Sequence, residues 1–133
     1  MREYARQQTA MLIGKLTVEI DRSAGAVSAD AIHDLRVAIR RLSRCLRTFS
    51  QFYPGRWWKK ARAQLSALLH TAGAVRDRDI ALELLAQAGI SGRAAVAAQL
   101  RAERTEASRE LAIEVRRWRE RGFTRKWSGQ VGA

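Results

Sequence analysis

The chain has 133 residues, with 47% hydrophobic and 29% charged side chains, so it can bury one domain's core and is not expected to be disordered. Lys and Arg together number 25 against 13 Asp and Glu, a formal net charge of +12; such an excess draws polyanions. Arginine outnumbers lysine 21 to 4, and its planar fork matches phosphate oxygens bidentately where an ammonium cannot. No apolar run approaches the roughly 18 residues that cross a bilayer, and the N-terminus, Met1-Arg2-Glu3-Tyr4, lacks the apolar stretch of a signal peptide. Cys45 is the single cysteine, which leaves no internal disulfide and no Cys/His zinc spacing. A cytoplasmic protein with no metal and no cofactor is the expectation.

Few breakers interrupt the chain, with one proline and 9 glycines, and long Ala/Arg/Leu/Glu stretches predict an all-α fold. The first helix is expected over about 3–24, with Ile13, Leu16, Ile20 and Ala24 at three-to-four spacing and Gly25 at its end. Ser28 is a good N-cap for a second helix running to about Phe52, stopped by Pro54-Gly55. A third helix is expected over about Trp57–Ala72, with Gly73 just past its end. A fourth follows over about Arg76–Ala88, closed by Gly89, and Ser91 would cap a long fifth helix to about Arg121. Gly129 and Gly132 suggest that the tail, 123–133, is loose. Short connections between four or five helices predict an antiparallel bundle in one domain.

The second helix carries the chemistry. At about 100° per residue, His33, Arg36, Arg40, Arg44 and Arg47 fall within an arc of roughly 80°. Arg41 lies at the edge of that arc, and Ile32, Leu35, Ile39, Leu42, Leu46 and Phe49 cluster opposite. Solvated helix faces usually mix signs, and like charges at these spacings repel. A row of arginines without an acid is therefore matched to an anionic ligand. The competing reading makes the row a merely solvated face, or pairs it with acids of another helix, where the last long helix offers Glu103, Glu106, Glu110 and Glu114.

The segment His33-Asp34-Leu35-Arg36-Val37-Ala38-Ile39-Arg40-Arg41-Leu42, continuing to Leu46-Arg47-Thr48-Phe49, resembles the CHAD domain, the conserved histidine α-helical domain. Gly73-Ala74-Val75-Arg76-Asp77-Arg78-Asp79-Ile80 resembles that family's second motif; the motif-bearing core spans about 28–88. The resemblance implies an all-helical fold and binding of inorganic polyphosphate or related phosphate-rich anions; it does not imply an activity of its own. Its ligand-facing positions would be His33, Arg36, Arg40, Arg41 and Arg47, with Arg76 from the second motif; Asp77 and Asp79 would cap a helix or hold arginines. Where the family commonly carries arginine this chain has Ser43, and Arg44 beside it is the expected substitute. The family's domain has two similar helical halves and this sequence carries one, so either two copies pair to rebuild it or the chain is a truncated remnant, the homodimer being the expectation favoured.

Lys59 and Lys60 would extend the arginine groove if the third helix lies beside the second. Trp57, Trp58, Trp118 and Trp127 read as core or dimer packing before base stacking, Cys45 as a small core filler, and His70 as a surface residue. Arg116, Arg117, Arg119 and Arg121 form a second basic cluster. The function expected is binding of polyphosphate or related phosphate or sulfate-type anions, and not catalysis; nucleic-acid binding through the same charges, or a structural and assembly role, are the alternatives. No membrane partner is expected. A cytoplasmic site at polyphosphate granules follows from the resemblance.

Overall fold

The computed structural model describes residues 1–25 and 27–132. Five α-helices order the chain: α1 (Arg2–Gly25), α2 (Ala29–Thr48), α3 (Gly55–Gln87), α4 (Ala95–Glu120) and α5 (Phe123–Val131), with one 3-10 turn at Ser50–Phe52 before α3. α1 packs on α2, α2 on α3 and α3 on α4, and α4 closes the ring against α1 while α5 lies along α1. The all-α bundle expected from composition is the fold found.

Each helix offers one apolar stripe to the shared core. On α1 the buried positions are Ala5, Thr9, Ile13, Leu16, Ile20 and Ser23, recurring every three or four residues. α2 starts where Ser28 Oγ accepts the Ala31 N–H at 3.1 Å, the cap its sequence suggested. It buries Ile32, Leu35, Ile39, Leu42 and Leu46 completely or nearly so. Burying a side chain of that size contributes about 1.5–3 kcal/mol relative to exposure. Cys45 is buried, as expected of a core filler. Beside it Thr9, Tyr53 and the Ala5 carbonyl share a buried polar contact that ties α1 to the connection between α2 and α3.

Three expectations are corrected. Residues 57–88 are not two helices, because α3 runs unbroken through Gly73 for 33 residues. Gly73 does not adopt the left-handed conformation of a helix terminator, whereas Gly89 does, at φ 77°. A glycine inside a helix costs about 1 kcal/mol, and the full burial of Ala72 and Val75 on either side outweighs that. Asp77 and Asp79 therefore cap nothing.

Second, α4 begins after Ala94 with no side-chain cap, and Ser91 Oγ instead accepts the N–H of Arg93 in the preceding turn at 3.1 Å. Third, the tail is not loose. After Gly122, left-handed at φ 63°, α5 buries Phe123, Trp127 and Val131, an i, i+4, i+8 stripe. Ala133 lies outside the described residues. Trp118 and Trp127 are buried, and Trp57 and Trp58 pack partly against the core, as their spacing predicted.

Asp79 holds an arginine of another helix. Arg104 of α4 donates from Nε to Asp79 Oδ1 at 2.6 Å and from Nη2 to the Val27 carbonyl at 3.0 Å. This clamp joins α3, α4 and the entry to α2. Among the described residues, no helix is long and apolar enough to cross a membrane.

Candidate functional site

α2 and α3 run antiparallel, so the second half of α3 lies beside the start of α2. The C-terminal part of α2 faces the opening turns of α3, where Arg62 Nε donates to Ser43 Oγ at 3.2 Å. Between them a groove of about 430 Å³ opens. Arg40, Ser43, Arg44 and Arg47 line it from α2, and Arg62 and Ser66 from α3, above the apolar residues Ile39, Leu65 and Leu69. Helical periodicity placed the three α2 arginines on one face, and the structure turns that face to the groove.

Arg36 stands one turn before Arg40 and is part-buried. Its Nε is inaccessible to water and has no hydrogen-bond partner. Burial, with the neighbouring charge of Arg40, pulls its guanidinium below the ordinary arginine pKa; Asp77 opposes the shift and Arg76 adds to it. Arg76 thus lies close enough to Arg36 for its charge to be felt there, which brings the two motifs together.

His33 sits one turn further on, with its side chain 66% exposed and Nδ1 3.2 Å from Asp34 Oδ1. Asp34 also accepts from Arg22 Nη1 at 2.5 Å. Those bonds, Arg22's first and His33's second, hold the Asp34 carboxyl below its usual range.

The ion pairs among the described residues involve Arg6, Arg22, His33, Arg104, Arg109 and Arg119. None involves Arg36, Arg40, Arg41, Arg44, Arg47, Arg62 or Arg76. The glutamates of α4 do not neutralise the row, since α4 packs chiefly on α3 and α1 and Glu106 pairs with Arg109 of its own helix. The uncompensated row expected from the sequence is thus present.

Of the expected site residues, Arg40, Arg44 and Arg47 line the groove, while His33, Arg36 and Arg76 do not, and three more lie apart from it. Arg41 is exposed and is not among the lining residues, being turned about 100° from Arg40 around the helix. Lys60 lines a different cavity, between α3, α4 and α5. Lys59 is exposed, with its ammonium 5.8 Å from the Trp58 ring centroid. The two lysines therefore do not extend the arginine groove, although α3 does lie beside α2. Its cation there is Arg62, which the sequence reading passed over; its place three residues after Lys59 and four before Ser66 was the available signal. Among the described residues, no three His, Cys, Asp or Glu side chains gather as a metal site.

A family model described as the CHAD domain matches residues 12–130, most of the chain. Neither curated proteins nor solved structures gave a match.

Proposed function

Because the chain belongs to the CHAD domain family, we propose that it binds inorganic polyphosphate or a related phosphate-rich anion in the groove between α2 and α3. One observation carries this reading: the guanidinium groups along the groove have no carboxylate partner of the protein's own. Like charges set this close repel, and a chain of phosphates laid along Arg36, Arg40, Arg44, Arg47 and Arg62 relieves them together. His33 and Arg76 extend the track at its α2-start end.

The role is binding without catalysis. Phosphoanhydride chemistry usually draws on metal ions held by several carboxylates. Asp77 acts on Arg36 through its charge, and Asp79, two residues on, is already taken by Arg104. A homodimer that sets two such grooves about a twofold axis belongs to the same proposal. Association with cytoplasmic polyphosphate granules is part of the same proposal.

Calorimetric titration with long-chain polyphosphate over a series of salt concentrations tests it. Affinity should fall linearly on a log–log plot, with a slope of about −0.7 per phosphate neutralised if the chain behaves like a single strand. The Arg36→Ala/Arg40→Ala protein should bind more weakly at unchanged helical circular dichroism. Unchanged affinity in that variant would remove the site assignment, and easy displacement of polyphosphate by DNA at matched phosphate would favour a nucleic-acid ligand.

A further inference from the structure

A second cavity, larger than the arginine groove, opens elsewhere in the bundle. It measures about 720 Å³ and lies between α3, α4 and α5, within the range of about 300–1,000 Å³ usual for small-molecule sites. Its cations are Lys60, Arg117, Arg121 and Lys126, against the single carboxylate of Glu114. None of the four cations takes part in an ion pair among the described residues. Arg119, by contrast, turns to Asp21 of α1 at 3.1 Å. The basic cluster at the end of α4 is therefore divided: Arg117 and Arg121, four residues apart on one face, go to the cavity.

The rest of the wall is aromatic. Trp57, Trp118, Phe123 and Trp127 line the cavity, and their rings form a connected set, with centroids 6.1 Å apart for Trp57–Trp127 and 5.3 Å for Trp118–Trp127. Trp57 is the least covered of the four, and its indole N–H is buried without an acceptor, at a cost comparable to a lost hydrogen bond. Gln64 and Gln130 add side-chain amides, each both donor and acceptor.

A bare phosphate chain has no use for an aromatic wall or for amides. We infer that this cavity is a second anion site, distinct from the groove, which takes a nucleoside polyphosphate. The base lies against the partly exposed Trp57, with the side-chain amides of Gln64 and Gln130 in the same wall available to its polar edge. The phosphates lie among Arg117, Arg121, Lys126 and Lys60. Stacking of a base on an aromatic side chain is sequence-tolerant, so adenine and guanine nucleotides are both accepted.

Titration of the full chain with adenosine triphosphate and, in parallel, inorganic tripolyphosphate tests the inference, read by calorimetry and tryptophan emission. The two probes carry similar charge and differ in the nucleoside. The nucleotide should bind roughly ten-fold more tightly or better and shift the emission. Arg117→Glu/Arg121→Glu changes exposed side chains only and should weaken nucleotide binding at least ten-fold. Arg40→Ala/Arg44→Ala, in the groove, should leave it within two-fold. Equal affinity for the two probes overturns the inference, as does loss of nucleotide binding in the groove variant with none in the cavity variant. Because the two sites share no residue, failure here leaves polyphosphate binding in the groove standing, and the reverse.

Discussion

Arg62 of α3 reaches across the groove and donates from Nε to Ser43 Oγ of α2 at 3.2 Å. The hydroxyl fixes the guanidinium stem through one bond and leaves its other N–H groups free for an anion. A facing helix thereby supplies a cation beside Arg44 and Arg47, at the α2 position where the family resemblance carries an arginine.

Arg62→Ala should therefore weaken polyphosphate binding about ten-fold, the scale of one charge-assisted hydrogen bond of about 1.5–3 kcal/mol after solvent screening. Adding Ser43→Arg to that variant should restore most of the loss, because the new guanidinium starts from the helix that Arg62 reached. Calorimetry on the wild type and the two variants checks this. Wild-type affinity in Arg62→Ala would mean that the α3 wall does not touch the ligand.

The link between His33, Asp34 and Arg22 gives a pH dependence with a definite sign. Hydrogen bonds from Arg22 and then His33 lower the Asp34 pKa in the folded chain. The unfolded chain therefore binds the proton more readily. The stabilisation is fully present above the unfolded value of about 3.9 and is lost as pH falls through the folded one. Asp34→Asn should lower Tm slightly near neutrality, since both partners are about half exposed and exposed pairs contribute little. The gap to wild type should close as the pH falls below about 4. Thermal melts across that range decide it; a gap that persists at the acid end means that the carboxylate charge is not what Asp34 contributes.

Much of this was legible in the residues, and the failures have identifiable causes. The α2 half of the groove follows from spacing alone, since about 100° per residue puts Arg36, Arg40, Arg44 and Arg47 on one side of a helix whose other side is aliphatic. Arg62 does not follow, because which face of α3 meets α2 is decided by how Leu65, Leu68 and Ala72 enter the core. Gly73 carried a local stop signal that burial on both sides overrode. In the tail, Gly129 and Gly132 drew attention from the stronger pattern, the apolar stripe of Phe123, Trp127 and Val131 that the core accepts.

Cys45 should be inert in the folded protein. Its side chain is 8% exposed, and burial pushes the thiol pKa up, with the Thr9 hydroxyl contact opposing. The thiolate is the reactive form, so reaction with an aromatic disulfide reagent must await local opening. The rate should be at least about 100-fold slower in buffer than in denaturant. Fast native labelling would show that α1, which covers Cys45 through Thr9, detaches readily from α2.

Arg36 separates binding from stability. Its Nε is buried and unpartnered, and burial together with Arg40 works against its charge. An unsatisfied buried polar group costs about 1–3 kcal/mol, reduced here because the rest of the guanidinium is partly solvated. Methionine has a stem of similar length and no charge, so Arg36→Met should leave the ligand-free fold as stable or raise Tm by about 2–4 °C. The same change should weaken polyphosphate binding roughly ten-fold, since it removes the cation between Arg40 and Arg76. Melting and titration on one sample read both effects. A fall in Tm would show that Arg36 supports the fold, and its unpaired Nε would then no longer mark a place kept for phosphate.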